Sequence, residues 1–367
     1  MKIRYAIGVA MVMAVFAQTQ QLAGAGILPA GVKAFRDVAY VENGHARQKL
    51  DLYLPAKSDG PLPLVIWIHG GAWQGGGKEG CPPLRQGFVQ RGYAVASLNY
   101  RLSGDAIFPA QIEDCKAAIR WLRANAKTYA IDPDRFGVWG SSAGGHLVAL
   151  VGTSGDEKSF DVGANPNVSS RVQAVCDFFG PADLTQMDVK AVPGARLKHN
   201  DPKSPESCLI GGPIQENKAK AARANPITYI ATNALPPFLI VHGDIDPVVP
   251  FYQSELLFGA LKAAGGNVHL HCIRGAEHGK GFGEKDVTEM VDAFFARWLK
   301  ASGKAGAEAV RTESAAVAEA ARGNAQGGGL RAGVQPSGGR KITFERVRTR
   351  EGVNGDGVLP RDDFLDK

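Results

Sequence analysis

The chain has 367 residues, of which 44% are hydrophobic and 21% are charged, and its formal net charge is +6. This balance is typical of a globular protein and excludes a disordered, highly charged chain. The positive excess falls to +4 when Lys2 and Arg4 are removed with the first 25 residues. Because no basic patch with interleaved aromatic residues stands out in the sequence, nothing indicates a nucleic-acid partner.

The first 25 residues have the layout of a signal peptide. Residues 1–4 carry two positive charges, Tyr5 to Ala17 form an apolar run, and Ala23-Gly24-Ala25 is an A-x-A cleavage pattern. The apolar run is too short to cross a membrane as a helix. We therefore expect an exported protein, periplasmic or secreted, without a membrane anchor.

Residues 26–300 alternate between strand and helix patterns, which predicts one α/β domain. Residues 34–55 are expected to form an edge hairpin because their apolar residues alternate with period two. The other predicted elements, in chain order, are strands at Leu64–Ile68, Tyr93–Leu98, Arg135–Trp139, Val172–Phe179, Pro237–Val241 and Val268–Ile273, and helices at Pro109–Asn125, Gly145–Leu150 and Glu284–Leu299. The last helix is predicted to bury one apolar face made of Val287, Val291, Phe294 and Trp298.

A glycine-rich segment follows the first buried strand pattern. The strand Leu64–Ile68 runs directly into His69-Gly70-Gly71-Ala72-Trp73. Glycines just after a strand let backbone N–H groups approach a ligand, and in hydrolases such a segment forms half of an oxyanion hole. We expect Gly70 and Gly71 to be the donors, with Ala72 as the alternative to one of them.

A candidate nucleophile lies between a strand pattern and a helix pattern. Gly140-Ser141-Ser142-Ala143-Gly144 reads G-x-S-x-G. Small residues around a central serine allow a tight turn that exposes its hydroxyl at the edge of a sheet. The motif predicts that Ser142 is a nucleophile and that the N–H of Ala143 completes the oxyanion hole. The alternative is a serine in a glycine-rich turn without chemistry.

A serine nucleophile also needs a base and a group that orients the base. The strand Pro237–Val241 is followed by two carboxylates, Asp244 and Asp246. Asp246 is predicted to be the orienting acid because it lies further into the loop, and Asp244 is expected to shape the turn through backbone hydrogen bonds. His278, in the loop after the last strand, is predicted to be the base.

The other histidines are given no catalytic role. His269 and His271 alternate along a strand and share a face, which indicates structural side chains. Apart from His69, which lies in the glycine-rich segment, the remaining four have no setting at the end of a strand comparable with that of the base: His45, His146, His199 and His242.

The order Ser142, Asp246, His278 is the one expected of the α/β-hydrolase fold, and it differs from the orders of the two common serine protease folds. With the motifs quoted above, the chain resembles the bacterial esterase/lipase family related to hormone-sensitive lipase and to feruloyl and acetylxylan esterases. The resemblance covers roughly residues 34–300. It implies a mostly parallel central sheet flanked by helices, and no metal or organic cofactor. Members commonly carry a third glycine where this chain has Ala72, a departure that keeps the backbone donor.

The sequence therefore predicts an exported serine carboxylic-ester hydrolase that acts through an acyl-enzyme on short-chain or aromatic acyl esters. The substrate is a small molecule or a polysaccharide, and the resemblance suggests acetyl or feruloyl esters of plant polysaccharide. Two alternatives stay open. An amide hydrolase of the formamidase or peptidase type uses the same three residues, and H-G-G-x-W also occurs in kynurenine formamidases. The other alternative is a catalytically inactive hydrolase fold that serves as a binding module.

A polar, proline-marked stretch from Asp183 to Asn225 lies between a strand and the predicted acid. Hydrolases of this fold often carry a lid there, so we predict a small lid insertion that determines substrate choice.

The five cysteines are too few for a disulfide framework. Cys81 and Cys115 are the pair considered for a disulfide, which spacing alone does not decide.

Beyond Lys300 the composition changes. Residues 301–340 are rich in alanine, glycine and polar residues and are predicted to be a flexible, low-complexity linker. Residues 341–367 contain a degenerate EF-hand-like loop with three weak calcium candidates, Asn354, Asp356 and Asp363. The first ligand position falls on Gly352, which has no side-chain oxygen, so a degenerate tail is favoured over a calcium site.

Overall fold

The computed structural model describes residues 28–230 and 235–300. The predicted signal peptide, linker and EF-hand-like tail, with Asn354, Asp356 and Asp363, lie outside these residues. Those assignments remain predictions.

The described residues form a single eight-stranded sheet. The strands are β1 (Val32–Ala39), β2 (Lys49–Pro55), β3 (Leu62–Ile68), β4 (Ala94–Leu98), β5 (Ile131–Ser141), β6 (Ala174–Phe178), β7 (Phe238–Gly243) and β8 (Val268–Ile273). Their spatial order is β1-β2-β4-β3-β5-β6-β7-β8. Strand β2 pairs antiparallel with β1 and β4, and the other neighbours are parallel. This topology confirms the predicted α/β-hydrolase fold.

The central strands are buried along their whole length. Every residue of β3, β4 and β6 is buried, whereas β1 at the edge is partly or fully exposed. Continuous apolar strands are expected where helices cover both faces of a parallel sheet. Because parallel strands end at the same edge, the loops after β3, β5, β7 and β8 meet there, and these loops carry the motifs singled out above.

The helices connect these strands. They are α1 (Pro82–Arg85), α2 (Ala110–Ala124), α3 (Ala143–Thr153), α4 (Pro205–Ile210), α5 (Lys218–Ala224), α6 (Tyr252–Ala263) and α7 (Lys285–Phe295). Short 3₁₀ turns occur at Lys158–Phe160, Leu184–Gln186, Ile214–Glu216 and Pro226–Tyr229. Helix α2 agrees with the predicted helix to within one residue at each end. None of the helices in the described ranges is long and apolar enough to cross a membrane.

The last predicted helix differs from the structure at its end. Helix α7 stops at Phe295 and continues as a π-helical turn over Ala296–Lys300. The wider turn shifts the buried face, so Leu299 is fully buried and Trp298 is only half-buried. Phe295 and Leu299 pack against Gly137 of β5, where a Cβ would lie 2.7 Å from Cε1 of Phe295. The prediction that Trp298 joins the buried face was wrong.

The insertion over residues 183–225 lies between β6 and β7 and contains α4 and α5. Two backbone carbonyls attach it to other elements. Leu209 accepts a hydrogen bond from Phe108 N–H at 2.7 Å, and Ala224 accepts one from the His146 ring at 2.7 Å. Its action as a lid remains a prediction.

All five cysteines lie in the described ranges and are free thiols. Cys81 and Cys115 are both free and buried, and no disulfide joins them. Burial raises the pKa of the Cys81 thiol to about 12, which keeps it protonated and unreactive at neutral pH.

Candidate active site

Ser142 occupies a sharp turn between β5 and α3. Its backbone has φ 55° and ψ −122°, and a positive φ is uncommon for a residue other than glycine. The N–H of Ser142 donates to the carbonyl of Phe178 at 2.8 Å, which ties the turn to the end of β6. Such a strained strand-to-helix turn presents a serine hydroxyl above the carboxyl edge of the sheet.

The glycines on either side of Ser142 are required by space. A Cβ at Gly140 would overlap the carbonyl oxygen of Gly144, and a Cβ at Gly144 would overlap the carbonyl oxygen of Ile68. Helix α3 therefore begins in direct backbone contact with the end of β3. The G-x-S-x-G pattern follows from this close approach of strand, turn and helix.

The structure brings Ser142, His278 and Asp246 within hydrogen-bond distance. His278 Nε2 lies 3.1 Å from Ser142 Oγ, and His278 Nδ1 lies 2.6 Å from Asp246 Oδ2. An ionised carboxylate only accepts, so Nδ1 carries the proton and Nε2 is free to accept from the serine hydroxyl. A base oriented in this way is what an activated serine requires.

Asp246 is almost completely buried, and donors surround both of its oxygens. Its Oδ1 accepts from the N–H groups of Val248 at 2.7 Å and Val249 at 2.9 Å. Burial alone would raise the pKa of Asp246, but the charge of His278 and hydrogen bonds from His242 and His278 hold it well below its usual range. The carboxylate therefore stays ionised when the imidazole becomes charged.

Asp244 has a different environment. Its Oδ1 accepts from the N–H of Gly275 at 2.6 Å, in the loop after β8. The residue shapes backbone as expected, but it does so in the loop that carries His278 rather than in its own turn.

His242 lies against the acid, although sequence reasoning gave it no role. Its Nδ1 is 2.7 Å from Ser254 Oγ, and its Nε2 is 2.9 Å from the Val249 carbonyl and 3.3 Å from Asp246 Oδ2. A carbonyl only accepts, so Nε2 carries the proton that faces the carboxylate. The signal was present in the sequence, since His242 directly follows the predicted strand Pro237–Val241.

The segment predicted to form half of an oxyanion hole lies beside Ser142. A Cβ at Gly70 would lie 3.2 Å from Cβ of Ser142, and Gly71 has φ 113°. Within the described part of the chain, the N–H groups of Gly71 and Ala72 donate no hydrogen bond. Ala143 is the first residue of α3, so its N–H has no acceptor inside the helix. These groups are available to an oxyanion.

A buried imidazole orients this segment. His69 Nδ1 lies 2.7 Å from the Gly70 carbonyl, its Nε2 lies 3.2 Å from Arg47 Nη2, and its ring stacks on Tyr100 at 4.4 Å. Burial lowers the pKa of His69 to about 3, so the ring is neutral, donates from Nδ1 and accepts at Nε2. Carbonyl and N–H point to opposite sides of a trans peptide, so fixing the Gly70 carbonyl also directs the Gly71 N–H. Sequence reasoning missed both Arg47 and His69.

A second neutral imidazole connects this segment with the insertion. His146 Nδ1 accepts from Trp73 Nε1 at 3.2 Å, and its Nε2 donates to the Ala224 carbonyl. Burial lowers the pKa of His146 to about 4. Burial also lowers the pKa values of His269 and His271 on β8.

Within residues 28–230 and 235–300, no three His, Cys, Asp or Glu side chains are grouped so that they would hold a metal ion.

The insertion borders the loops of the acid and the base. Arg196 N–H donates to the Pro247 carbonyl at 2.8 Å, and Arg196 Nη2 lies 3.1 Å from Glu277 Oε2, next to His278. His199 pairs with Glu206 at 2.8 Å, and both side chains are buried. Residues of the insertion therefore contact the loops on both sides of the catalytic candidates.

The chain is similar to a known family and to proteins that are named esterases. The BD-FAE family profile matches residues 50–261, more than half of the chain. Esterase LipQ of Mycobacterium tuberculosis (strain ATCC 25618 / H37Rv) is 34% identical over 205 residues, which is 55% of this chain and 46% of LipQ. The chain spans about half the length of the curated relatives it matches first.

Two solved structures are similar to the chain. A bifunctional GH43-CE protein of Bacteroides eggerthii has 38% identity and a TM-score of 0.66, covering 72% of this chain and 35% of that one. A truncated form of a carbohydrate esterase from gut microbiota has 33% identity and a TM-score of 0.64, covering 73% and 96%.

Proposed function

The chain belongs to the BD-FAE family, and from that membership and the site geometry we propose that it is a serine carboxylic-ester hydrolase. The observation that carries the proposal is the continuous hydrogen-bonded series from Ser142 Oγ through His278 to Asp246. Relatives and structural neighbours that are named esterases support it.

In this mechanism His278 Nε2 removes the proton of Ser142 as Oγ attacks the ester carbonyl. Asp246 keeps Nδ1 protonated and stabilises the imidazolium that forms. The developing oxyanion accepts hydrogen bonds from the N–H groups of Gly70, Gly71 and Ala143, with Ala72 as the alternative to one glycine. His278 then protonates the leaving alcohol. Water, deprotonated by the same imidazole, attacks the acyl-enzyme and releases the acid.

For the substrate we propose short-chain or aromatic acyl esters, with acetyl or feruloyl groups on polysaccharide as the class. The names of the two structural neighbours, which include a carbohydrate esterase, support this choice. The predicted signal peptide fits an extracellular polymer. The insertion over residues 183–225 borders the site and is the proposed determinant of acyl-group choice.

A hydrolysis panel tests the proposal on the purified protein. The substrates are p-nitrophenyl acetate, a longer p-nitrophenyl acyl ester, methyl ferulate, acetylated xylan and N-formylkynurenine. Ser142→Ala is expected to lower kcat by about five to six orders of magnitude. Ser141→Ala, in the preceding residue, is the matched control and should keep kcat within about threefold, since its hydroxyl is not part of the series.

Turnover of acetyl or feruloyl esters that depends on Ser142 supports the proposal and identifies the acyl group. Turnover of the formyl amide alone assigns the protein to the amide hydrolases. If the folded protein turns over none of the five substrates, the proposal is contradicted. The alternative that remains is a hydrolase fold that acts as a binding module.

A further inference from the structure

The loop that carries His278 has little regular structure of its own. It connects β8 to α7 and includes glycines with positive φ at positions 275, 279 and 281. Glycines of this kind leave a backbone many accessible conformations. A general base must nevertheless stay within about 0.5 Å of its productive position. The hydrogen bonds to Asp246 and Ser142 hold the two ring nitrogens, but these two bonds do not fix rotation of the ring about the line that joins them.

The aromatic side chain of Phe179 lies directly against the imidazole. Phe179, the first residue after β6, is 4% exposed, and its ring centroid lies 4.5 Å from that of His278 with the planes at 61°. The ring also contacts Phe282, four residues further along the same loop, at 4.5 Å and 78°. Phe179 thus touches the base loop at two points, on either side of the glycines at 279 and 281.

The backbone of Phe179 is held in an unusual conformation. Its φ is 45°, which for a bulky residue is a genuine outlier. Its N–H donates to the Val241 carbonyl at 2.9 Å, and the preceding carbonyl, of Phe178, accepts from Ser142 N–H. The residue is therefore fixed to the ends of β6 and β7 and to the serine turn. Strain at such a position is maintained only where the surrounding structure imposes it, and functional sites are where it accumulates.

We propose that Phe179 is a positioning residue for His278: its strained, doubly anchored backbone directs the ring against the imidazole and fixes the plane of the base. Phe282, in the same loop as His278, also contacts the ring of Phe179. The inference rests on the proposed function, because a fixed imidazole plane matters only if His278 transfers a proton. It assigns no contact with substrate to Phe179.

The test replaces the ring in the full-length protein. Phe179→Leu is expected to lower kcat about 10- to 100-fold with KM changed less than about threefold, because the base is misplaced while the substrate site is intact. Phe179→Tyr keeps the ring and should retain kcat within about threefold of wild type. Phe179→Gly removes the backbone strain together with the ring, and it should lose as much kcat as the leucine variant. Phe88→Leu, which removes a buried ring on other core partners, is the control and should keep kcat.

A second readout does not depend on turnover. The proton on His278 Nδ1, shared with Asp246, should give a resolved downfield NMR signal in the wild type and in Phe179→Tyr. We expect this signal to broaden or exchange faster in Phe179→Leu and Phe179→Gly. If the glycine variant keeps wild-type kcat and an unchanged Nδ1 proton, the inference is wrong. If the wild type hydrolyses no ester, the proposed function fails, and the NMR signal still decides whether Phe179 holds the ring.

Discussion

Among single residues, the carboxylates of Asp244 and Asp246 accept hydrogen bonds from different donors, although only one residue separates them. Asp246 accepts from two backbone N–H groups and from His278, with the His242 ring 3.3 Å away. Asp244 accepts from Gly275 N–H and is only half-buried. The first environment stabilises a charge beside an imidazole, and the second fixes a loop.

The two environments predict different kinetics. Asp246→Asn should lower kcat by about four orders of magnitude with little change in KM, because an amide cannot hold the same tautomer of His278. Asp244→Asn is the matched control and should cost less than about tenfold, since an amide oxygen still accepts from Gly275. Steady-state kinetics on p-nitrophenyl acetate measure both. Equal losses in the two variants would contradict the assignment of Asp246 as the acid.

The sequence was sufficient to place Ser142, Asp246 and His278 at strand ends, because short apolar strands followed by glycine-rich turns are local signals. The structure brings them within hydrogen-bond distance, and their catalytic roles remain predictions. His69 and Arg47 were given no role for a physical reason. Their functions depend on contacts across the fold, such as Arg47 with the ring of His69, and no local pattern reports such contacts.

Among the elements, the insertion contains a buried ion pair between His199 and Glu206. Burial lowers the pKa of His199, but the charge and hydrogen bond of the Glu206 carboxylate raise it by more. The pKa of His199 is therefore raised above 6.5. A further hydrogen bond to the Val248 backbone links the same ring to the loop of Asp246. The position of the insertion was predictable from its polar composition. Its attachment was not, because His199 appeared to be a polar residue in a loop.

The sign of the pH dependence follows from that raised pKa. The pair stabilises the fold fully below pH 6.5, and its contribution is lost as pH rises through the pKa of the folded state. Glu206→Gln should therefore lower the free energy of unfolding by about 1–3 kcal/mol at pH 6 and by less at pH 9. Urea unfolding at the two pH values measures this. Glu216→Gln, exposed on the same insertion, is the control and should show no such difference. A destabilisation that is equal at both pH values would show that the charge is not involved.

At the scale of the whole molecule, a buried carboxyl in the central sheet, that of Asp177, opposes stability. Asp177 of β6 is fully buried, its Oδ1 accepts from Gly180 N–H at 2.9 Å, and its Oδ2 has no partner among the described residues. Burial raises the pKa of Asp177 to about 7, and the hydrogen bond from Gly180 offsets part of the effect. The folded state therefore binds a proton that the unfolded chain releases near pH 4.

A raised carboxyl pKa makes the fold less stable as pH rises from about 4 to about 7. Asp177→Asn removes this ionisation and keeps an oxygen for Gly180, so it should raise the free energy of unfolding by on the order of 2 kcal/mol at pH 8 and by much less at pH 4. Denaturant unfolding at both pH values measures the difference. Asp59→Asn, at an exposed position, serves as the control. Destabilisation by Asp177→Asn at pH 8 would mean that the carboxylate is ionised and satisfied in the core.

The overall architecture was predictable because strand and helix patterns alternate and because the motif order Ser, Asp, His is diagnostic. The π-helical turn after Phe295 was not predictable, since the apolar spacing of residues 287–298 fits an uninterrupted helix. Packing of Phe295 and Leu299 against Gly137 determines that end. Tertiary contacts therefore override a good local pattern at this point.

A covalent adduct on Ser142 is the most direct test of the proposed chemistry. The full-length protein is treated with a fluorophosphonate, and the modified residue is located by peptide mass spectrometry. We predict one adduct, on the peptide that contains Ser142, with labelling abolished in Ser142→Ala and slowed by orders of magnitude in His278→Ala. A folded wild-type protein that takes up no label, or takes it up on another serine, would contradict the assignment of Ser142 as the nucleophile.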